Sequence, residues 1–232
     1  MNRHAYGVVI LTMLLVPCLM HAGECTRTEE EYLRILEQGA GSAGPDAVSS
    51  AGEISEALNC LVYTRMDQGR WAGPRMAAHF ASLHHSPLRE RFAAACMPYL
   101  LGRGRVPEAD RPVIAFEAAT ALAMCGVAES GGCDIFGALV KGDPQNPTRV
   151  PFVALASLAD PRTLRFLQAR YDSLSVNPPA ADTRFWKTQI VNCLYHLPGD
   201  SVVSFARVIA TSDPDTAVVV RARHVVEARP GR

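Results

Sequence analysis

The sequence predicts an all-α fold, in the form of a short right-handed α-solenoid of antiparallel helix pairs. The first observation is a repeat: Pro-Val-Ile-Ala-Phe at residues 112–116 returns as Pro-Phe-Val-Ala-Leu at residues 151–155. At the same interval again, Ile-Val-Asn-Cys-Leu at residues 190–194 keeps the apolar positions. The second observation is that apolar residues around each copy recur with helical spacing, and no stretch alternates as the strands of a sheet do. A period of about 40 residues with two helices per unit is typical of α-solenoids.

Ahead of the repeats, residues 23–106 are expected to form capping helices or divergent repeats. Thr28 starts a capping box with Glu31, in which each side chain accepts a backbone amide of the other residue. A second helix is expected from about residue 46 or residue 53 to residue 66, where apolar residues fall on one face. Ser-Pro at residues 86–87 starts a further helix, because serine is a good N-cap and proline suits the first helical position.

The repeats themselves are expected in residues 107–232. The helix that carries the first copy should end near Gly126, because glycine is common just past a helix C-terminus. Asp-Pro pairs at residues 160–161 and 213–214 are each expected to cap the helix that follows. The valines at residues 218–220 would also suit a strand, but their place after the second Asp-Pro pair favours a last helix.

Residues 154–164, with the sequence Ala-Leu-Ala-Ser-Leu-Ala-Asp-Pro-Arg-Thr-Leu, resemble the helix–turn–helix core of HEAT repeats. The short repeats of phycobilisome-lyase-like proteins are among the repeats they resemble. The resemblance covers about residues 107–228, and it implies a fold and a curved binding surface rather than an activity. Some HEAT-repeat proteins are metal enzymes with paired His-Glu steps, but no His-Glu dipeptide occurs in this chain.

The charge balance argues against a nucleic-acid partner. Lysine and arginine together number 23, aspartate and glutamate also number 23, and the formal net charge is zero. Nucleic-acid-binding proteins usually carry an excess of positive charge, which their phosphate contacts require. Nucleic acid is therefore not expected as a partner. The resemblance to repeat proteins implies a protein partner, and a small-molecule ligand is not expected.

Residues 1–22 are expected to be a cleaved signal peptide. Arg3 provides a weak positive start, and residues 7–20 form an apolar run that is too short to span a bilayer comfortably. This predicts a periplasmic or secreted protein, with no transmembrane segment once the signal is removed. A lipoprotein anchored through Cys18 or Cys25, or an uncleaved anchor, remains an alternative, although neither cysteine follows the small residue expected there.

Six cysteines remain after removal of the signal, and an even number in an exported chain permits disulfides. Cys125 and Cys133 bracket a glycine-rich loop and form one candidate pair. Cys25 and Cys60 form another candidate pair, across the N-terminal helices. Cys193 stands where the other two copies have alanine, which favours a small buried thiol instead.

Candidates for chemistry are few. His79, His84 and His85 are close in sequence, but zinc needs three or four converging ligands and adjacent histidines point apart. We therefore expect surface histidines and no metal or other cofactor. The chain has no Gly-x-Ser-x-Gly, Cys-x-x-Cys, phosphate-binding loop or His-Glu-x-x-His motif. These patterns favour a protein that is not an enzyme and has no catalytic residues.

Binding residues are expected on the second helix of each pair. The apolar stripe after Asp160 leaves Arg162, Arg165 and Gln168 on the other face, and Arg207 lies outside the stripe of the helix after Asp200. The HEAT resemblance places such helices on the concave side, where arginines fork onto carboxylates of a partner. The alternative is solvated charge on an ordinary exposed face.

From the sequence, the most consistent function is a non-enzymatic scaffold or adaptor of the cell envelope that binds a protein on its concave face. The alternatives are an accessory subunit of an enzyme and a structural protein of the envelope. A lipid anchor would fit the second of these.

Overall fold

The computed structural model describes residues 25–41, 50–63, 88–127, 129–142, 151–158, 160–176 and 182–229. These ranges contain ten α-helices, a 3₁₀ turn at Glu108–Asp110 and one antiparallel ladder of two-residue strands, β1 (Glu129–Ser130) and β2 (Cys133–Asp134). The all-α class is therefore confirmed. The helices are α1 (Glu29–Ala40), α2 (Ala51–Tyr63), α3 (Arg89–Leu100), α4 (Arg111–Met124), α5 (Ile135–Val140), α6 (Phe152–Leu158), α7 (Pro161–Val176), α8 (Thr183–Leu194), α9 (Asp200–Ser212) and α10 (Thr216–Glu227).

The helices pack mostly on their nearest and next-nearest neighbours in the chain. Helix α1 packs on α2 and α3, and α4 packs on α2 and α3. From there a row of even-numbered helices continues, because α6 contacts α4, α8 contacts α6, and α10 contacts α8. Contacts of this short range are what stacked helix pairs require.

Two hydrophobic clusters form the core, and helix α6 belongs to both. Leu155 and Leu158 of α6 join the cluster built by α1 to α5, here called the N-terminal cluster. Phe152 and Ala156 join the cluster built by α7 to α10, here called the C-terminal cluster. Helix α6 is consequently almost completely covered, and it links the two clusters. The domain boundary between residues 106 and 107 stays a prediction.

The second and third copies of the sequence repeat present the same face to the core, and the first copy does not. Ala154 and Cys193 occupy equivalent positions and are each 1% exposed, and Leu155 and Leu194 after them are fully buried. The thiol of Cys193 donates to the carbonyl of Phe152 at 3.1 Å, so that α8 lies directly on α6. In the first copy, Ala115 is only half-buried. Its helix, α4, buries the alanines and leucine at residues 118–122 instead.

The predicted helix starts were right in two places and wrong in one. Thr28 and Glu31 form the predicted capping box, and Asp160 accepts the amide of Arg162 at 2.8 Å, as a cap does. The second Asp-Pro pair does not cap α10. Asp213 follows the last residue of α9, and Asp215 is the residue that accepts an amide at the start of α10. Residues 216–227 are helical, as expected.

Several predictions fall outside the described residues, namely the signal peptide at residues 1–22, with Cys18, the helix start at Ser86-Pro87, and the histidines His79, His84 and His85. Among the helices that are described, none combines the length and the apolar composition needed to cross a bilayer.

The cysteines differ from the sequence expectation at one of the two candidate pairs. Cys25 and Cys60 form a disulfide. Cys125 and Cys133 do not, and both are free thiols. The reason is local: the segment between them folds into the β1–β2 ladder, which pairs Cys133 with Ser130, while the Cys125 side chain is buried in the N-terminal cluster.

Candidate functional site

Arg162 was predicted to bind a partner, and the structure binds it to two carboxylates of its own chain. Its Nη1 and Nη2 atoms donate to the two carboxylate oxygens of Asp134, each at 2.9 Å. Its Nε and Nη2 atoms donate to Asp160 at 2.9 and 2.7 Å. The guanidinium also lies 4.4 Å from the ring centroid of Phe136. The side chain therefore joins the start of α5 to the start of α7, and an external carboxylate would have to displace one of these partners.

The pKa values follow from this geometry. Hydrogen bonds from Arg162 lower the pKa of both Asp134 and Asp160, and hydrogen bonds to Asp160 and then Asp134 raise the pKa of Arg162. All three groups remain charged through the ordinary pH range. Each side chain of this bridge except Asp160 is nearly half exposed, so the bridge is a surface feature.

Arg165 and Arg207 are exposed, but they do not converge on one point. Arg165 precedes the buried Leu167 by two residues, which places it on the opposite side of α7. Arg207 follows Phe205 by two residues, and the Phe205 ring contacts Tyr171 of α7 at 5.7 Å between centroids. Arg207 therefore points away from α7. Gln168, on α7 like Arg165, is half-buried.

A second cluster of charged residues, which the sequence reasoning missed, lies inside the C-terminal cluster. The Nζ atom of Lys187 on α8 lies 2.7 Å from Oδ2 of Asp213, at the end of α9. Only 7% of the Lys187 side chain and 2% of the Asp213 side chain are exposed. The hydroxyl of Tyr171 donates to the same oxygen, and the amide of Asp215 donates to Oδ1 at 2.8 Å. The carboxylate thus has three donors from three separate segments.

These donors decide the ionisation of Asp213. Burial by itself would raise its pKa, but the hydrogen bonds from Lys187, Tyr171 and the Asp215 amide outweigh burial, and the pKa is lowered. Burial, followed by the hydrogen bond to the carboxylate, raises the pKa of Tyr171 above its usual range. The group is a charged carboxylate held by an ammonium and a neutral phenol. Its arrangement positions α7, α8 and the α9–α10 turn relative to one another.

One sequence signal could have found this cluster. Lys187, Ile190, Val191 and Leu194 follow the spacing of a buried helix stripe, so the periodicity of α8 already places the lysine on the core face. A buried lysine requires a carboxylate partner. The sequence does not identify that partner, because Asp213 lies 26 residues away. The proline after Asp213 also favoured the interpretation that it caps a helix.

The free thiols are mostly inaccessible. Cys96, Cys125 and Cys193 are buried, and burial raises the pKa of each, to about 12 in the case of Cys125. Such thiols are poor nucleophiles and poor metal ligands. Within the described part of the chain, no group of three or more histidine, cysteine, aspartate or glutamate residues could hold a metal ion.

No protein-family model, no curated protein and no solved structure matches this chain. The resemblance to HEAT repeats therefore stays a prediction from the sequence.

Proposed function

We propose that this chain is a non-enzymatic scaffold or adaptor, exported to the periplasm or secreted, that binds another protein on the concave face of a HEAT-like solenoid. The observation that carries the proposal is the continuous row of even-numbered helices, in which α4, α6, α8 and α10 each pack on the next. A row of stacked helix pairs presents an extended surface, and solenoids use such surfaces to bind proteins.

Small and aromatic residues both pack between successive helices. Small buried residues, among them Ala154, Ala156 and Cys193, lie on the even-numbered helices. Aromatic pairs join the odd-numbered helices: Phe136 with Phe166 at 6.3 Å, and Tyr171 with Phe205 at 5.7 Å between centroids. An aromatic pair also joins two even-numbered helices, because the rings of Phe152 on α6 and Trp186 on α8 lie 5.8 Å apart. Rings thus occur on both sides of the row, and the proposed face is the one that also exposes an aromatic ring beside such a pair.

We place the binding face on the even-numbered helices, whereas the HEAT resemblance put it on α7 and α9 with Arg165 and Arg207. The even-numbered side includes Phe185 of α8, which is 38% exposed. Its ring rests against Trp186 at 5.0 Å between centroids, and Trp186 rests against Phe152 at 5.8 Å. A ring held in place in this way is a suitable anchor for a partner, because little side-chain entropy is lost on binding.

Site-specific photo-crosslinking tests the proposal. A benzophenone amino acid is placed at Phe185 or His224 on the even-numbered side, and at Arg165 or Val208 on the other side; His224, Arg165 and Val208 are all exposed. We expect one adduct of defined mass from the even-numbered side in envelope extracts. The same adduct from Arg165 and Val208 alone would support the concave placement drawn from the resemblance. Equal yields from all four positions would contradict a specific binding face.

Export is tested separately. Mass spectrometry of the mature protein should find a new N-terminus after Ala22 or Gly23, as expected for a cleaved signal peptide. A protein that retains Met1 in the cytoplasm would contradict export without bearing on the binding face.

A further inference from the structure

The disulfide between Cys25 and Cys60 joins the segment ahead of α1 to the last turn of α2. Cys25 lies three residues before the N-cap Thr28 and is partly exposed, whereas Cys60 is 2% exposed. The linked residues are 35 positions apart, so the bond closes a long loop that contains the whole of α1.

Other ties between this segment and α2 are weak. The guanidinium of Arg27 lies 4.0 Å from a carboxylate oxygen of Glu53, and both side chains are well exposed. The Tyr32 hydroxyl donates to Glu56 at 3.0 Å, and it accepts the Arg27 amide at 3.4 Å, near the limit for a hydrogen bond. The disulfide is therefore the strongest polar or covalent link between residues 25–27 and α2.

Helix α1, in contrast, is held to the rest of the protein by contacts that do not depend on the disulfide. The hydroxyl of Tyr99 donates to the carbonyl of Leu36 at 2.9 Å inside the N-terminal cluster. Arg91 on α3 donates to both carboxylate oxygens of Glu30, at 3.0 and 3.1 Å, and also binds Glu37. Helix α2 also packs on α1 and α4, so loss of the disulfide should first free the N-terminal segment and weaken the hold on the last turn of α2, while α1 stays on α3.

We propose that the Cys25–Cys60 disulfide is a redox-sensitive latch, closed by oxidation after export, which fixes the N-terminal segment and α2. The closure in the cell rests on the proposed export. In closing, the two thiols lose two protons and two electrons to a disulfide donor, which leaves as two thiols. In opening, an external thiolate attacks the partly exposed Cys25 sulfur, which forms a mixed disulfide, and Cys60 leaves as a thiolate that takes up a proton. A second external thiolate then attacks the external sulfur of that mixed disulfide, so that Cys25 also leaves as a thiolate and the external thiols end as a disulfide. A Cys25 sulfur in this bond cannot also carry the thioether of a lipid anchor.

The positions of the other cysteines make the oxidation selective. Cys96, Cys125 and Cys193 are buried, and Cys133 is the one free thiol of the described residues that reaches the surface. A disulfide donor in solution reaches exposed sulfur first, so the buried thiols are excluded from wrong pairings.

The test uses the purified mature chain, either reduced by dithiothreitol or oxidised by glutathione disulfide, with amide hydrogen exchange read by mass spectrometry. We expect reduction to speed exchange in residues 25–28 and 51–60 by roughly thirtyfold or more, since long-loop disulfides contribute strongly to stability. Exchange in α7 and α10 should stay unchanged. The Cys25→Ser variant should exchange like the reduced chain under both conditions, and Cys133→Ser should keep the full response.

Two outcomes would overturn the latch. Exchange in α2 that ignores reduction would show that the disulfide restrains nothing there. Faster exchange through all ten helices of the described ranges would show a global stabiliser instead of a local latch. Because the reduced wild-type chain is itself a readout, the test holds even where Cys25→Ser does not fold. The measurement is made in vitro, so its failure is separate from a failure of export, which appears as a retained signal peptide.

Discussion

The turn at Asp160-Pro161 and the turn at Asp213-Pro214 begin with the same two residues, and each aspartate binds a cation, but one cation is exposed and the other is buried. In both turns the aspartate Oδ1 accepts the amide of the residue two positions on, at 2.8 Å. The cation at the first turn is Arg162, with 45% of its side chain exposed, and the cation at the second is Lys187, with 7% exposed. The two turns share the hydrogen bond from the amide to the aspartate, but the exposure of the ion pair determines how much each pair contributes to stability.

The two surroundings make opposite demands. An exposed ion pair is weakened by water and salt, and its net contribution to stability is usually small. A buried ion pair costs a great deal of desolvation when it forms, so that removal of one partner leaves a charge with no compensation. The second turn should therefore be far more sensitive to substitution than the first, although the two look alike in the sequence.

The largest expected effect is that of Lys187→Met. The substitution keeps most of the side-chain volume and leaves the Asp213 carboxylate buried without its cation, which should cost about 3–5 kcal/mol of unfolding free energy. Urea denaturation followed by circular dichroism measures it. Lys141→Met is the matched control, because Lys141 is the only other lysine and is exposed. Equal midpoints for the two variants would mean that the Lys187–Asp213 pair contributes nothing.

A smaller effect is expected for Tyr171→Phe. This change removes one donor to the Asp213 carboxylate and keeps the ring against Phe205, so the expected loss is about 1.5–3 kcal/mol, as for hydrogen bonds to charged groups. Tyr99→Phe provides the comparison in the N-terminal cluster, since the Tyr99 hydroxyl donates to a neutral carbonyl. Its expected cost is about 0.5–1.5 kcal/mol. A larger loss for Tyr99→Phe than for Tyr171→Phe would contradict the importance assigned to the buried charge.

The pH dependence should separate the same two environments. The pKa of Asp213 is lowered from its usual 3.8. A lowered pKa means that the group stabilises the folded state above about pH 4, and that this contribution is lost as the pH falls through the folded-state value. The difference in unfolding free energy between the wild type and Lys187→Met should therefore narrow as the pH falls from neutral to below about pH 4, because protonation of Asp213 in the variant removes the uncompensated carboxylate. A difference that stays constant down to pH 2 would contradict the assignment of that shift to Lys187.

Much of the fold was accessible from the sequence because it depends on periodicity. Apolar spacing predicted α4 and α8, the Thr28 capping box predicted the start of α1, and the place of residues 216–227 after an Asp-Pro pair, rather than their spacing, predicted α10. These features depend on residues a few positions apart. The sequence did not predict which face of α4 is buried in the first repeat copy. Ile114 is buried in place of Ala115, and this depends on how α4 packs against α2 and α3.

The charged residues show the same limit more clearly. Arg162 was predicted to be exposed and to bind a partner protein. It is exposed, but it binds Asp134 of the same chain, which lies 28 residues away and could not be identified from the pattern of α7. Asp213 was predicted to cap a helix because a proline follows it. In the folded protein its carboxylate instead pairs with Lys187. A charge pattern along one helix predicts which side chains point outward. It does not predict which distant side chain they meet.

The smallest expected effect is that of Arg162→Gln, which removes the bridge between α5 and α7 at the surface. Because the bridge is exposed, the thermal midpoint should fall only slightly, and the fall should vanish in 1 M salt, where the screening length shrinks to about 3 Å. Arg165→Gln, one turn further along α7, is the matched control and should change nothing at either salt concentration. The loss should instead be local, as faster amide exchange in α5, which begins directly after Asp134. A fall in midpoint as large as that of Lys187→Met, or one unaffected by salt, would mean that the two Asp-Pro turns are equivalent after all.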